Sequence, residues 1–170
     1  IQQPLVVIFV KDILQGSDSQ LGLIFAASGL GGMLGAVGGG FVVSRHQPLR
    51  VIATMTAIDG VLLMIFAYNR SIALAMILFA CFGALATLAL IALATYLQES
   101  AARDQRGRTF GWLGTVVGPW RLAAVFLGPL LAEVLGVVMV LAICAVAEVG
   151  MAVLGARARI PAARPDDGNS

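Results

Sequence analysis

An all-α, polytopic membrane helix bundle is the fold class that three features of this 170-residue chain predict. Its mean hydropathy is +0.95, only 12% of its residues are charged, and the charges gather in short clusters between long apolar runs. Soluble domains carry about 25% charged residues, so the polar material here is too scarce to cover a water-facing globule. A net charge of +2 without a broad basic patch points away from nucleic acid and leaves the lipid bilayer as the main partner.

The elements follow in order from the run lengths. A membrane-crossing helix needs about 20 apolar residues, and runs of that kind cover 21–43, 51–68, 72–97, 110–135 and 137–154. The opening segment, 1–13, contains PLVVIFV at 4–10, which is too short to span and reads as the end of a severed helix. The chain starts at Ile1 with neither a cationic leader nor a cleavage site, so the expectation is a piece of a longer protein cut inside a membrane helix. Short polar stretches join the runs: QGSDSQ, SRHQPLR, NRS and QESAARDQRGR. The tail 157–170, rich in Pro, Ala and charge, is expected to be disordered.

Arginine placement fixes the expected orientation. If the five spans alternate, Arg45, Arg50, Arg103, Arg106, Arg108, Arg157, Arg159 and Arg164 fall on one side, against Lys11 and Arg70 on the other. The positive-inside rule then puts the C-terminus in the cytoplasm and the chain in the cell membrane.

The stretch GLGGMLGAVGGG at 29–40 resembles a phosphate-binding turn at first sight. It lies inside an apolar span, however, without the βαβ context such a turn requires. Small residues four apart let membrane helices approach closely. Ala27, Gly31, Gly35 and Gly39 form one such row, and Ser28, Gly32, Ala36 and Gly40 a second beside it. Cys81 and Cys144 lie in apolar runs and read as buried small residues. With the single histidine, His46, they cannot complete a four-ligand metal site, so no metal and no cofactor is expected.

Three stretches carry a family resemblance. They are VVIFVKDILQGSDSQLGLIFAASGLGGMLGAVGGG at 6–40, SRHQPLR at 44–50 and RDQRGRTFGWLGTVVG at 103–118. Together they resemble the C-terminal half of a major facilitator superfamily transporter, and more narrowly the drug and siderophore exporter branch that includes enterobactin and macrolide efflux proteins. The resemblance implies a six-helix half-bundle with its first helix truncated and a missing N-terminal half of the same protein as partner. It also implies a small-molecule substrate moved by alternating access, with the proton as coupling ion. Arg106, Gly107 and Arg108 would form the cytoplasmic loop motif leading into the eleventh helix. The loop motif of the eight–nine connection is degraded, with Ser44 and Gln47 where the family has aspartate and glycine. GTVVGP at 114–119 resembles part of the antiporter motif of the fifth helix, and Leu122 and Ala123 stand where paired glycines would continue it.

Physically, Pro119 removes an intrahelical hydrogen bond and Gly118 permits a bend, so a kink is expected there, with a second at Gly128 and Pro129. Asp59, Arg121 and Glu148 lie deep in their spans, and charges at such depth are functional candidates by default. At about 1.5 Å per residue, Arg121 sits about 17 Å and Asp59 about 12 Å from the cytoplasmic ends of their spans, and Glu148 about 17 Å from the outer end of its own. Arg121 and Glu148, on consecutive antiparallel spans, are the expected ion pair, with Asp59 as competing partner. Such a pair either pins two helices together or switches with proton uptake. The resemblance places the last helix and that of Asp59 more peripherally, which favours Arg121 on the pathway, weakens the case for Glu148 and leaves Asp59 as structural. Asp104 could cap the helix starting near Gln105.

The run 72–97 is the presumed cavity helix and offers Cys81, Phe82, Thr87 and Thr95 among Ala and Leu, which suits a hydrophobic or amphipathic solute. An intramembrane enzyme is disfavoured because the chain has neither an H-E-x-x-H nor a G-x-S-x-G motif. A non-transporting membrane scaffold is the remaining alternative.

Overall fold

The computed structural model describes residues 2–100 and 106–157, with the side chains of Arg121 and of most residues from 106 to 120 outside the description. Helix α1, Gln2–Ile8, runs into a π-helical turn, Phe9–Ile13, and ends where Gln15 adopts a positive φ of 52°. The Leu14 N–H donates to the Phe9 carbonyl at 3.1 Å and the Gly16 N–H to that of Val10 at 2.9 Å. Ser17 then starts α2, Asp18–Arg45, through a capping box. The Gln20 N–H donates to the Ser17 hydroxyl at 3.3 Å, and the Ser17 N–H donates to the Gln20 side chain at 2.9 Å.

Helix α3, Pro48–Ala67, opens with proline in its first turn, where the missing N–H costs nothing. Asn69 closes the connection to α4, Ile72–Ser100. It is nearly buried, its side-chain oxygen accepts from the Ser71 N–H at 2.8 Å, and its amide donates to the Ser71 carbonyl at 2.7 Å. Helix α5, Arg106–Leu135, passes through both Pro119 and Pro129 without a break. Each proline still deprives the carbonyl one turn earlier of its donor. The Gly136 N–H donates to the Ala132 carbonyl at 2.9 Å with φ at +83°, the left-handed glycine cap that ends α5 and lets α6, Val137–Arg157, begin at once.

Every element among the described residues is helical. Among the described residues, four helices are long and apolar enough to cross a membrane: Asp18–Arg45, Pro48–Ala67, Ile72–Gln98 and Val137–Gly155. In α5 the apolar stretch so described is the shorter Leu122–Leu135. Large apolar side chains face outward, among them Leu34, Val37 and Val134, as lipid-facing or partner-facing helices require. The architecture is an all-α membrane bundle.

Two seams organise it. Helix α2 packs along α4, and α3 packs along α6, while α3 also touches α4 and α5 touches α6, α1 and α4. In the α2–α4 seam, a Cβ placed on Gly31 would overlap the Ala80 carbonyl, one on Gly83 would overlap the Ser28 carbonyl, and one on Gly35 would lie 2.5 Å from the Ala84 carbonyl. The first small-residue row therefore does what its spacing predicts: Gly31, Gly35 and Gly39 are buried. The second row splits. Ser28 and Gly32 meet α4, whereas Ala36 and Gly40 face outward. The seam is a single stripe because the helix turns its other side away from α4.

The main core collects Leu5, Phe9 and Val10 from the first 13 residues with Ile24, Leu63, Phe66, Phe79 and Leu141. The opening segment is thus a central packing element. Its Phe9 ring lies 4.7 Å from that of Phe66, which continues edge-on to Phe79 at 5.4 Å. A smaller cluster of Val43, Val51 and Ala92 closes the opposite end.

Candidate functional site

Between the two seams lies a cavity of about 430 Å³. Its two walls differ in chemistry. Helices α2 and α4 supply Phe25, Ser28, Phe79, Phe82 and a run of small or aliphatic residues; α3 and α6 supply Asp59, Thr56, Met55, Glu148 and Met151. One wall is thus aromatic and uncharged, and the other carries two carboxylates.

The aromatic wall is ordered. Phe79 is buried and meets Phe25 at 6.0 Å with planes at 90°, and Phe82 at 5.6 Å with planes at 87°. Such edge-to-face pairs add about 0.5–1.5 kcal/mol each beyond burial. The hydroxyls expected on this helix are spent locally: Thr87 donates to the Gly83 carbonyl and Thr95 to that of Ile91, both at 3.0 Å.

The acidic wall exists because Gly60 lets α6 approach. A Cβ on Gly60 would stand 2.9 Å from the Ala145 carbonyl and 3.2 Å from the Glu148 Cβ. Glu148 therefore sits directly against the α3 backbone, beside Asp59. Its Oε2 is buried, and both carboxylates are engaged in hydrogen-bonding or electrostatic interactions. Cys144, one turn earlier on α6, is a half-buried free thiol, as is Cys81 on α4. Among the described residues no cluster of three or more His, Cys, Asp or Glu could hold a metal ion.

The residues singled out from the sequence fall into three groups. Asp59 and Glu148, on the two helices expected to be peripheral, are brought to one cavity. Gly118, with open space around it, and Pro119 lie within the continuous α5. Arg121 also lies on α5, but its side chain is outside the described residues, and with it the expected Arg121–Glu148 pair. Arg106, Gly107 and Arg108, read as a loop motif, form the first turn of α5, which starts at Arg106, close to the helix start expected near Gln105. Asp104, the expected cap, and the tail from residue 158 onward lie outside the described residues. The sequence reading missed Phe25, Met55, Phe79 and Gly60. Only Gly60, flanking an acid inside a span, carried a usable signal.

The α2–α3 connection is folded back on its own helix. The Arg45 guanidinium lies 4.0 Å from the centre of the Phe41 ring, Ser44 donates to the Phe41 carbonyl at 3.0 Å, and the His46 Nδ1 lies 3.2 Å from the Val42 carbonyl. At the other end of α2, Lys11 Nζ meets Asp18 Oδ1 at 2.9 Å across the π-helical turn. That hydrogen bond, reinforced by the opposite charges, raises the Lys11 pKa and lowers that of Asp18.

Comparisons with curated proteins and with solved structures gave no match. The sequence profile of the Major Facilitator Superfamily matches residues 1–170, the whole chain. Its all-α architecture of membrane-spanning helices agrees with that match, and the chain belongs to the Major Facilitator Superfamily of membrane transporters.

Proposed function

We propose that this chain is the C-terminal half of a secondary active exporter that moves small amphipathic or hydrophobic molecules, of drug or siderophore type, by proton-coupled alternating access. The observation that carries the reading is the two-walled cavity, with Asp59 and Glu148 opposite an aromatic surface in the middle of the helices. Ionisable residues at such depth mark substrate or proton pathways, and alternating-access transporters place their sites near the membrane midplane. The aromatic wall suits the apolar body of a solute. A carboxylate that loses its partner within a desolvated site takes up a proton, which ties solute movement to the proton gradient.

Arg121, just beyond Pro119 on α5, is assigned to the pathway between the halves, and the arginines of the α2–α3 and α4–α5 connections face the cytoplasm. Gly118 and Pro119 supply the flexible point of α5, and Arg106 and Arg108 belong to the positive-inside cluster at its start.

The test uses the intact protein in inverted membrane vesicles. Accumulation of a fluorescent cationic dye and of a macrolide is followed with and without a proton gradient, for wild type and Glu148→Gln. Gradient-driven uptake that drops at least about tenfold in a folded variant is expected, the effect of truncating a buried charge contact. Wild-type rates in Glu148→Gln would remove the coupling role of this residue, and no uptake by wild type would remove the exporter reading.

A further inference from the structure

Where α2 turns into α3, beside the cluster of Val43, Val51 and Ala92, lies another cavity, of about 480 Å³, which shares no lining residue with the acidic one. We propose that it binds a phosphate ester, with the Arg45 guanidinium as the anchoring cation and a phospholipid headgroup as the source its surroundings favour.

Charge comes first. Arg45 and His46 line the cavity, and among the described residues no carboxylate does. Arg45 is held by a ring, with its guanidinium 4.0 Å from the centre of Phe41. Stacking uses the flat face of a guanidinium, whereas its N–H donors lie in the plane and stay available. That fork matches two oxygens of one phosphate. The backbone nearby does not oppose an anion. The Phe41 and Val42 carbonyls at the end of α2 are covered by the Ser44 hydroxyl and the His46 ring. Gln47 and Pro48, which open α3, also line the cavity, so the positive end of that helix adds to the field of Arg45.

Shape and surroundings favour a lipid as the carrier of the phosphate. Opposite the polar side, Gly40, Val43 and Ile91 make an apolar floor. A Cβ on Gly40 would meet nothing within 4 Å, so the missing side chain keeps this part open. Val37, Phe41 and Arg45 follow one another at four-residue spacing, which puts them in one row on α2. Val37 and Phe41 are both exposed. A phosphate on Arg45 can therefore extend an acyl chain down this row, and the apolar contact adds to the charge contact. Inorganic phosphate would leave that row uncovered. The level is right as well: Arg45 is the last residue of a helix long and apolar enough to span, which places it among the headgroups.

The experiment is native mass spectrometry of the intact protein purified in detergent and titrated with dioleoylphosphatidic acid. Dioleoylglycerol, with the same chains and no phosphate, is the comparison, and glycerol 3-phosphate is the soluble competitor. Retention of the phosphatidic acid at least about fivefold tighter than of dioleoylglycerol is expected. Arg45→Ala should weaken it at least about fivefold, the worth of one basic side chain at an anionic lipid surface. Gly40→Leu, which fills the cavity without touching a charge, should weaken it several-fold, while Arg70→Ala, in the α3–α4 connection, should leave it unchanged. Equal retention of the two lipids by wild type overturns the proposal, and this arm needs no variant to fold. Equal losses in Arg45→Ala and Arg70→Ala, or wild-type affinity in Gly40→Leu, overturn it too, since both would mean that net charge rather than this cavity holds the lipid. Failure of millimolar glycerol 3-phosphate to displace the lipid upholds the lipid source. Displacement upholds the phosphate site and assigns it to a soluble ester.

Discussion

The α2–α4 and α3–α6 seams use glycine for opposite ends. In the first, Gly31, Gly35 and Gly83 bring backbone onto backbone along several turns, leave no room for a side chain and involve no charge. In the second, the single Gly60 brings α6 against α3 at one level, and the same level carries Asp59 and Glu148. Long glycine contact makes a rigid pair of helices. A single point of contact fixes two carboxylates and leaves space next to them. The division of labour between a stiff apolar pair and a charged, locally pinned pair places the cavity at the junction of the two.

Enlarging the glycines tests this contrast, and the first seam should give the larger effect. In Gly31→Val the new side chain meets the Ala80 backbone, which cannot rotate away as a side chain can. The expected loss is about 3 kcal/mol or more, at the upper end of overpacking costs. It should appear as an unfolding midpoint in detergent lowered by roughly 6–12 °C. Gly29→Ala, two residues away on another side of the helix with nothing within 4 Å, is the control and should be neutral or stabilising by up to about 1 kcal/mol. Equal losses in the two variants would mean that glycine content, rather than contact with α4, sets stability here.

Gly60→Ala sharpens the other side of the comparison. Its Cβ meets the movable Val149 Cγ2 at 2.8 Å and the fixed Ala145 carbonyl at 2.9 Å, so part of the strain relaxes by a rotamer change. A cost of about 1–2 kcal/mol is expected, less than for Gly31→Val. The discriminating readout is function. Pushing α6 off α3 separates Glu148 from Asp59, so transport should fall by more than the lowered midpoint explains. A variant with a lowered midpoint and wild-type transport would show that the α3–α6 spacing is structural only.

How much of this was legible in the sequence follows from what periodicity encodes. The helices and the glycine row of α2 were readable, because apolar run length and four-residue spacing depend on one helix at a time. Depth was readable too, since axial rise places Asp59 and Glu148 mid-helix. The partner of each face was not, because it depends on how each helix is rotated about its axis. Axial arithmetic led to Arg121 for Glu148 from chain adjacency, a pair that lies outside the described residues, whereas the packing of α3 along α6 brings Glu148 and Asp59 to one cavity. The spacing of Ala80 and Ala84 on α4 matched that of Gly31 and Gly35 and was a readable hint of the first seam. Phe82 was expected on the cavity helix, but its convergence with Phe79 and with Phe25 from another helix leaves no mark in either run alone.

The smallest effect belongs outside both seams, at Lys11 and Asp18. Both side chains are well exposed, and water and salt screen such pairs. The Lys11 ammonium holds the Asp18 carboxyl below its ordinary value of 3.8, so its contribution is complete above that value and fades as pH falls through the lowered one. Lys11 is raised above 10.5, so its contribution is complete below that and is lost only as pH climbs through the higher value. The pair is therefore intact across the whole neutral range and cannot sense physiological pH. Lys11→Ala should lower the unfolding midpoint by less than Gly60→Ala does, by the same amount at pH 6 and pH 8, and by nothing measurable in 1 M salt. A larger or pH-dependent shift over that range would mean that the π-helical turn is held by charge. Its own packing supplies the expected hold, since Phe9 and Val10 are fully buried on the side facing the core.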